Sequence, residues 1–129
     1  VILMALLDYI IAYVVIGLSG MFKNVIRKPV LSIALGSVVA ILIRLACHFL
    51  SGWIFYGSYA EWFFGEAFAN AFGSFVMENF SGQALAALYS LVYNSLYMIP
   101  ELVISVVGVV ALMAVKPIRE RMVTNNVEL

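Results

Sequence analysis

Few residues of this chain are equipped for chemistry, and nearly all of those stand inside long apolar runs. Asp8 interrupts the first run, Arg44 and His48 the second, and the stretch 89–101, YSLVYNSLYMIPE, puts tyrosines, Asn94, Pro100 and Glu101 into the third. Hydroxyls, an amide and carboxylates are costly in hydrocarbon unless they face partners or a cavity. Something polar therefore meets them at that depth. Asp8 is either a counter-ion for a cationic ligand or the partner of Arg44 in a structural ion pair, and Glu101 has the same choice. One basic side chain against two acids leaves one carboxylate over, protonated or free for a cation. His48 reads as a satisfied polar residue, a proton relay or a ligand contact, and Cys47 as a small apolar residue.

Catalytic and metal chemistry find little support. Ser51 follows His48 by three residues, but no G-x-S-x-G elbow surrounds it. Cys47 and His48 are sequence neighbours that diverge by about 100° on a helix, and one Cys with one His cannot complete a structural metal set. A single cysteine also excludes an internal disulfide. No Gly-rich phosphate loop is present, so any ATP chemistry belongs to another chain. The reading is a non-enzymatic protein with no cofactor and no nucleic-acid partner.

The elements that must position these residues follow from composition. Hydrophobic residues make up 65% of the 129 positions and charged ones 11%, under half the roughly 25% of a soluble domain. The fold class is an all-α integral membrane protein with three transmembrane helices. The expected spans are 1–22, 30–50 and 84–115, with an outer connection over 52–82 and a polar tail over 116–129. Each span reaches the roughly 20 residues that a bilayer requires. The first run opens at Val1 without a basic segment ahead of it, which argues against a signal peptide and suggests that an N-terminal part is missing.

Lys23, Arg27 and Lys28 close the first span; Lys116, Arg119 and Arg121 close the third. The connection holds Glu61, Glu66 and Glu78 and no Lys or Arg. By the positive-inside rule the loop 23–28 and the tail are cytoplasmic and the connection is external. Phe64, Phe68, Phe72 and Phe75 recur at helical spacing in the connection, so a short interfacial helix is expected there, either packed on the spans or acting as a lid. Pro100 removes a backbone hydrogen bond and should kink the third helix.

Counted at about 1.5 Å per residue from the basic clusters, Asp8, Arg44, His48, Tyr89, Asn94 and Glu101 all fall in the outer half of the membrane. Three helices thus converge on a polar pocket that opens outward. Arg44 and His48 share a face at i, i+4, and Gly52 continues it. Tyr89, Tyr93, Tyr97 and Glu101 also run at i, i+4, with Asn94 about 140° around the helix from Tyr89, so not every tyrosine is expected to face one cavity. Tyr93 and Tyr97 are equally readable as interface anchors.

In this order and orientation LLDYIIAY, HFLSGWIFYGSYA and YSLVYNSLYMIPE resemble the last three helices of the thiamine-specific S component of energy-coupling-factor (ECF) vitamin transporters. The resemblance implies a bacterial membrane subunit with a six-helix fold, of which this chain is the C-terminal half. It also implies capture of thiamine from outside and delivery with a transmembrane coupling subunit and two ATPase subunits. Carried over position by position, it implies ligand contacts from Asp8, Tyr9, His48, Gly52, Tyr56, Tyr89 and Asn94. Asp8 stands where the family usually has Glu, and Tyr56 where it has Trp. Pro100 and Glu101 either shape the pocket floor or, through Glu101, pair with Arg44. A different class remains open: a small structural or assembly membrane protein in which Asp8, Arg44 and Glu101 form a buried ion network without a ligand.

Overall fold

A computed structural model describes residues 2–124; Val1 and residues 125–129 lie outside it. Helix α1, Ile2–Gly20, is not uniform. An α-helical turn at Ile2–Ala5 widens into a π-helical turn at Leu6–Ile11, returns to α geometry at Ala12–Val14 and tightens to a 3₁₀ helix over Val15–Gly20. The widened turn carries Asp8 and Tyr9. Turns of this kind are rare and frequently occur at functional sites.

Helix α2, Pro29–Phe55, begins with Pro29 in the first turn, where a missing N–H costs nothing. Ser32, Gly36 and Ala40 are buried at successive i, i+4 positions. Small residues let helices approach closely in a membrane, and here the approach is tight: a Cβ on Gly36 would collide with the backbone of Ser19. α2 runs beyond the expected 30–50 with Gly52 buried inside it, and ends where Tyr56 leaves helical dihedrals (φ −117°, ψ 4°).

The connection forms two helices where the phenylalanine spacing predicts one. Helix α3, residues 57–67, runs through 3₁₀, α and π turns, and α4 spans Ala71–Asn79. Asn70 separates them: its extended backbone stops any continuation, and its side-chain oxygen accepts hydrogen bonds from the N–H groups of Phe72 (3.0 Å) and Gly73 (3.1 Å). That is an N-cap, which begins a new helix. Gly73 packs so closely on the Phe64 and Phe68 carbonyls that a Cβ would clash with both. The phenylalanines therefore divide, with Phe64 fully buried while Phe72 and Phe75 are exposed.

Helix α5, Gly82–Ala114, is the longest element and continues through Pro100. The expected tail is in fact helical over Lys116–Thr124, here α6. A 3.8 Å ion pair between Lys116 and Glu120 on one α6 face supports it weakly, since such exposed i, i+4 pairs contribute little. The part of the tail beyond residue 124 lies outside the described residues.

α1, the helical run that starts at Pro29, and α5 are each long and apolar enough to cross a membrane, with mean hydropathies of 2.2, 2.4 and 2.2. Large side chains along them, such as Ile104, Val107 and Ile99 of α5, face outward, as expected where the solvent is lipid. The chain is an all-α, multi-pass membrane protein. A separate apolar cluster of Ala60, Phe63, Phe64, Val76, Leu85 and Tyr89 fastens the connection to the first turns of α5.

Candidate functional site

Asp8, on the widened turn of α1, faces α2. Its Oδ2 accepts a hydrogen bond from the Ser51 hydroxyl at 2.7 Å, and its Oδ1 lies 3.1 Å from His48 Nδ1. Both side chains of that second pair are largely buried. Arg44, one turn away on α2, makes its ion pair with Glu101 of α5 and lies over the Tyr13 ring, with its guanidinium carbon 5.1 Å from the centroid. The expected surplus carboxylate is thereby assigned. Glu101 takes the arginine, and Asp8 faces a histidine and a serine, neither of which is a permanent cation.

α5 meets α2 through a polar seam. The Ser90 hydroxyl donates to the Phe49 carbonyl at 2.7 Å. The Asn94 amide donates to the carbonyls of Ser90 (2.8 Å) and His48 (3.3 Å), while its Oδ1 accepts from the Tyr97 hydroxyl. These bonds fix which way the amide faces and satisfy the carbonyls it reaches. Gly52 makes the approach possible, because a Cβ there would strike the Ser90 hydroxyl and sit 3.3 Å from the Asn94 amide.

Between the three spans lies a cavity of about 400 Å³, lined by Asp8, Tyr9, Tyr13, His48, Gly52, Tyr56, Tyr89, Tyr93, Asn94 and Tyr97. All seven residues expected at a ligand site line it, and Arg44 and Glu101 do not. Six of the seven tyrosines in the chain are in its wall. The rings of Tyr89, Tyr93 and Tyr97 follow one another at centroid separations of 5.7 and 6.2 Å, and Tyr97 meets the His48 imidazole edge-on at 6.3 Å. Steps of four residues advance only about 40° around a helix, so all three tyrosines fit along one wall. Tyr93 and Tyr97 thus belong to the cavity, as well as being half exposed. Tyr56 caps the α2 end of the cavity, donating to the Met4 sulfur at 3.1 Å and lying against Tyr59 at 6.4 Å.

Three further residues stand at the site. Tyr13 lines the cavity, as its i, i+4 spacing from Tyr9 allows. Ser51, one turn from His48, reaches the same carboxylate rather than acting as a nucleophile. Phe63 is buried outside the cavity, with its ring 5.2 Å from Tyr89 and 6.0 Å from Tyr93, edge-on to both. Nothing in its local sequence indicates that contact. Among the described residues no group of three or more His, Cys, Asp or Glu side chains is arranged to hold a metal.

A carboxylate without a permanent cationic partner, tyrosine rings on several sides and one fixed amide form a cavity suited to a small aromatic cation. Fold and site together define a multi-pass helical membrane protein with a ligand-sized polar cavity between its spans. The chain belongs to the thiamine transporter protein (Thia_YuaJ) family, whose model matches residues 1–69. It is similar to the thiamine transporter ThiT of Bacillus subtilis (strain 168), with 31% identity over 121 residues, which cover 87% of this chain and 53% of that protein. The chain therefore spans about half the length of the curated relative it matches. No solved structure matches it.

Proposed function

We propose that this chain is the ligand-binding part of a thiamine-specific S component of an ECF-type importer. It takes thiamine from outside the cell and passes it inward with a coupling subunit and two ATPase subunits. The observation that carries this reading is the placement of Asp8: the carboxylate left without an arginine stands in the wall of a cavity rich in tyrosine. Thiamine joins a cationic thiazolium to an aminopyrimidine, so it calls for a negative charge, π faces and hydrogen-bonding groups together. Asp8 neutralises the cation. Tyr9, Tyr13, Tyr56 and the ladder Tyr89–Tyr93–Tyr97 supply faces. Asn94 Oδ1, which already accepts from Tyr97, keeps a second lone pair for an amine. A volume of about 400 Å³ lies within the roughly 300–1,000 Å³ typical of small-molecule sites.

His48 fits the same reading. Its Nε2 is buried and has no hydrogen-bond partner among the described residues, an arrangement whose cost is relieved when a ligand group supplies one. The orientation follows from charge. Lys23, Arg27, Lys28, Lys116, Arg119 and Arg121 stand on the cytoplasmic side and the Glu-bearing connection outside, so the cavity opens outward. Titration calorimetry of the full-length protein in detergent tests the assignment. Saturable binding of one thiamine per protein is expected; absence of saturable binding to a folded sample removes thiamine as the ligand.

A further inference from the structure

We propose that the groove between the start of α2 and the end of α5 is a binding site for one anionic phospholipid. It is a shallow, open groove of about 630 Å³, and its lining includes Arg27, Lys28, Val30, Leu31, Ala34 and Val110. The chemistry divides by depth. Arg27 and Lys28 are exposed at the mouth, and neither side chain has an ion-pair or hydrogen-bond partner among the described residues. Below them the wall is wholly apolar and continues to Ala34, six residues or about 9 Å along the helix from Lys28.

Two cations without an ion-pair partner among the described residues, above an apolar groove, match a phosphate headgroup above an acyl chain. Basic pockets between helices at this boundary select anionic lipids. The groove lies at the ends of two membrane-crossing helices, where a soluble partner would have to displace lipid to enter it. Charge complementarity therefore favours an anionic lipid over a zwitterionic one, whose own cation would meet Arg27 and Lys28. The site is about the length of a span from the Asp8 cavity, so it stands or falls independently of the thiamine reading.

Native mass spectrometry of the full-length protein, titrated with phosphatidylglycerol or phosphatidylcholine of the same chain length, tests the site. The unaltered protein is expected to hold one phosphatidylglycerol about tenfold more tightly than phosphatidylcholine. Arg27→Gln with Lys28→Gln should abolish that preference, since each cation near the headgroup contributes appreciably. Arg119→Gln with Arg121→Gln, outside the groove, should leave it intact. Ala34→Phe, which fills the groove, should weaken retention of both lipids. Equal retention of the two lipids by the unaltered protein overturns the proposal. So does a preference that survives the Arg27/Lys28 change, which would put the headgroup elsewhere. Displacement of the lipid by an equal concentration of inorganic phosphate would make this a soluble-anion site and would equally overturn it.

Discussion

Changing Asp8 to Asn removes one negative charge from the cavity wall while keeping the shape of the side chain. The Ser51 and His48 contacts at 2.7 and 3.1 Å can be rebuilt around an amide, because a hydroxyl can accept as well as donate and a neutral imidazole has two tautomers. Stability should thus change little. Binding of a cation should change much more. Two unit charges about 4 Å apart attract by about 4 kcal/mol at an effective dielectric of about 20. Part of that is offset by taking the cation out of water, so a net loss of about 2–3 kcal/mol is expected, or about 30- to 150-fold in affinity. The control that isolates charge is a neutral aminopyrimidine lacking the thiazolium ring. Calorimetry should show its weaker binding shifting less than threefold between the unaltered protein and the Asp8→Asn variant. Equal losses for the charged and neutral ligands would mean that Asp8 acts by shaping the cavity, and the electrostatic argument would fail. A loss below threefold for thiamine would refute it outright.

Arg44→Ala leaves Glu101 without its partner and uncovers the Tyr13 ring. A loss of about 1–3 kcal/mol in stability is expected, discounted because Glu101 is partly exposed. Thermal unfolding in detergent should shift more than thiamine affinity does; normal stability with abolished binding would put Arg44 in the site itself. Gly52→Ala forces its new methyl onto the Ser90 hydroxyl and should cost about 1–3 kcal/mol by overpacking. Combining it with Ser90→Gly should recover most of that, and a double-mutant cycle showing simple additivity would contradict the contact. Phe63→Ala should lower thiamine affinity several-fold by loosening Tyr89 and Tyr93, and Phe63→Tyr should restore it. Equal effects of the two substitutions, measured by titration, would show that ring packing is not what matters there.

Much of this architecture follows from local sequence. Three apolar runs of sufficient length, with cationic clusters after the first and third, determine a three-span helical membrane protein, and the strongly polar side chains Asp8, Arg44, His48, Asn94 and Glu101 all stand well away from those clusters along their runs. The i, i+4 spacing of Arg44, His48 and Gly52 likewise determines a shared face, because helical periodicity is a local property. Helix ends were less accessible. The Asn70 cap and the close approach of Gly73 split the connection into α3 and α4, although its phenylalanines keep a helical period throughout, and Lys116–Thr124 folds into a helix despite its polar composition.

What the sequence left undetermined was pairing. Asp8 and Glu101 had equal claim to Arg44, since both are single carboxylates at comparable distances from the basic clusters. Only the packing of α2 between α1 and α5 turned Arg44 toward Glu101 and left Asp8 to His48 and Ser51. The same packing set Tyr13 of α1 and all three α5 tyrosines around one cavity, and it placed Phe63 of the connection against Tyr89 and Tyr93. Those contacts join residues distant in the chain, and their geometry depends on how closely Gly36 and Gly52 let the helices approach. Periodicity determines which face of a helix a residue occupies; the neighbour that face meets is a property of the assembled helices.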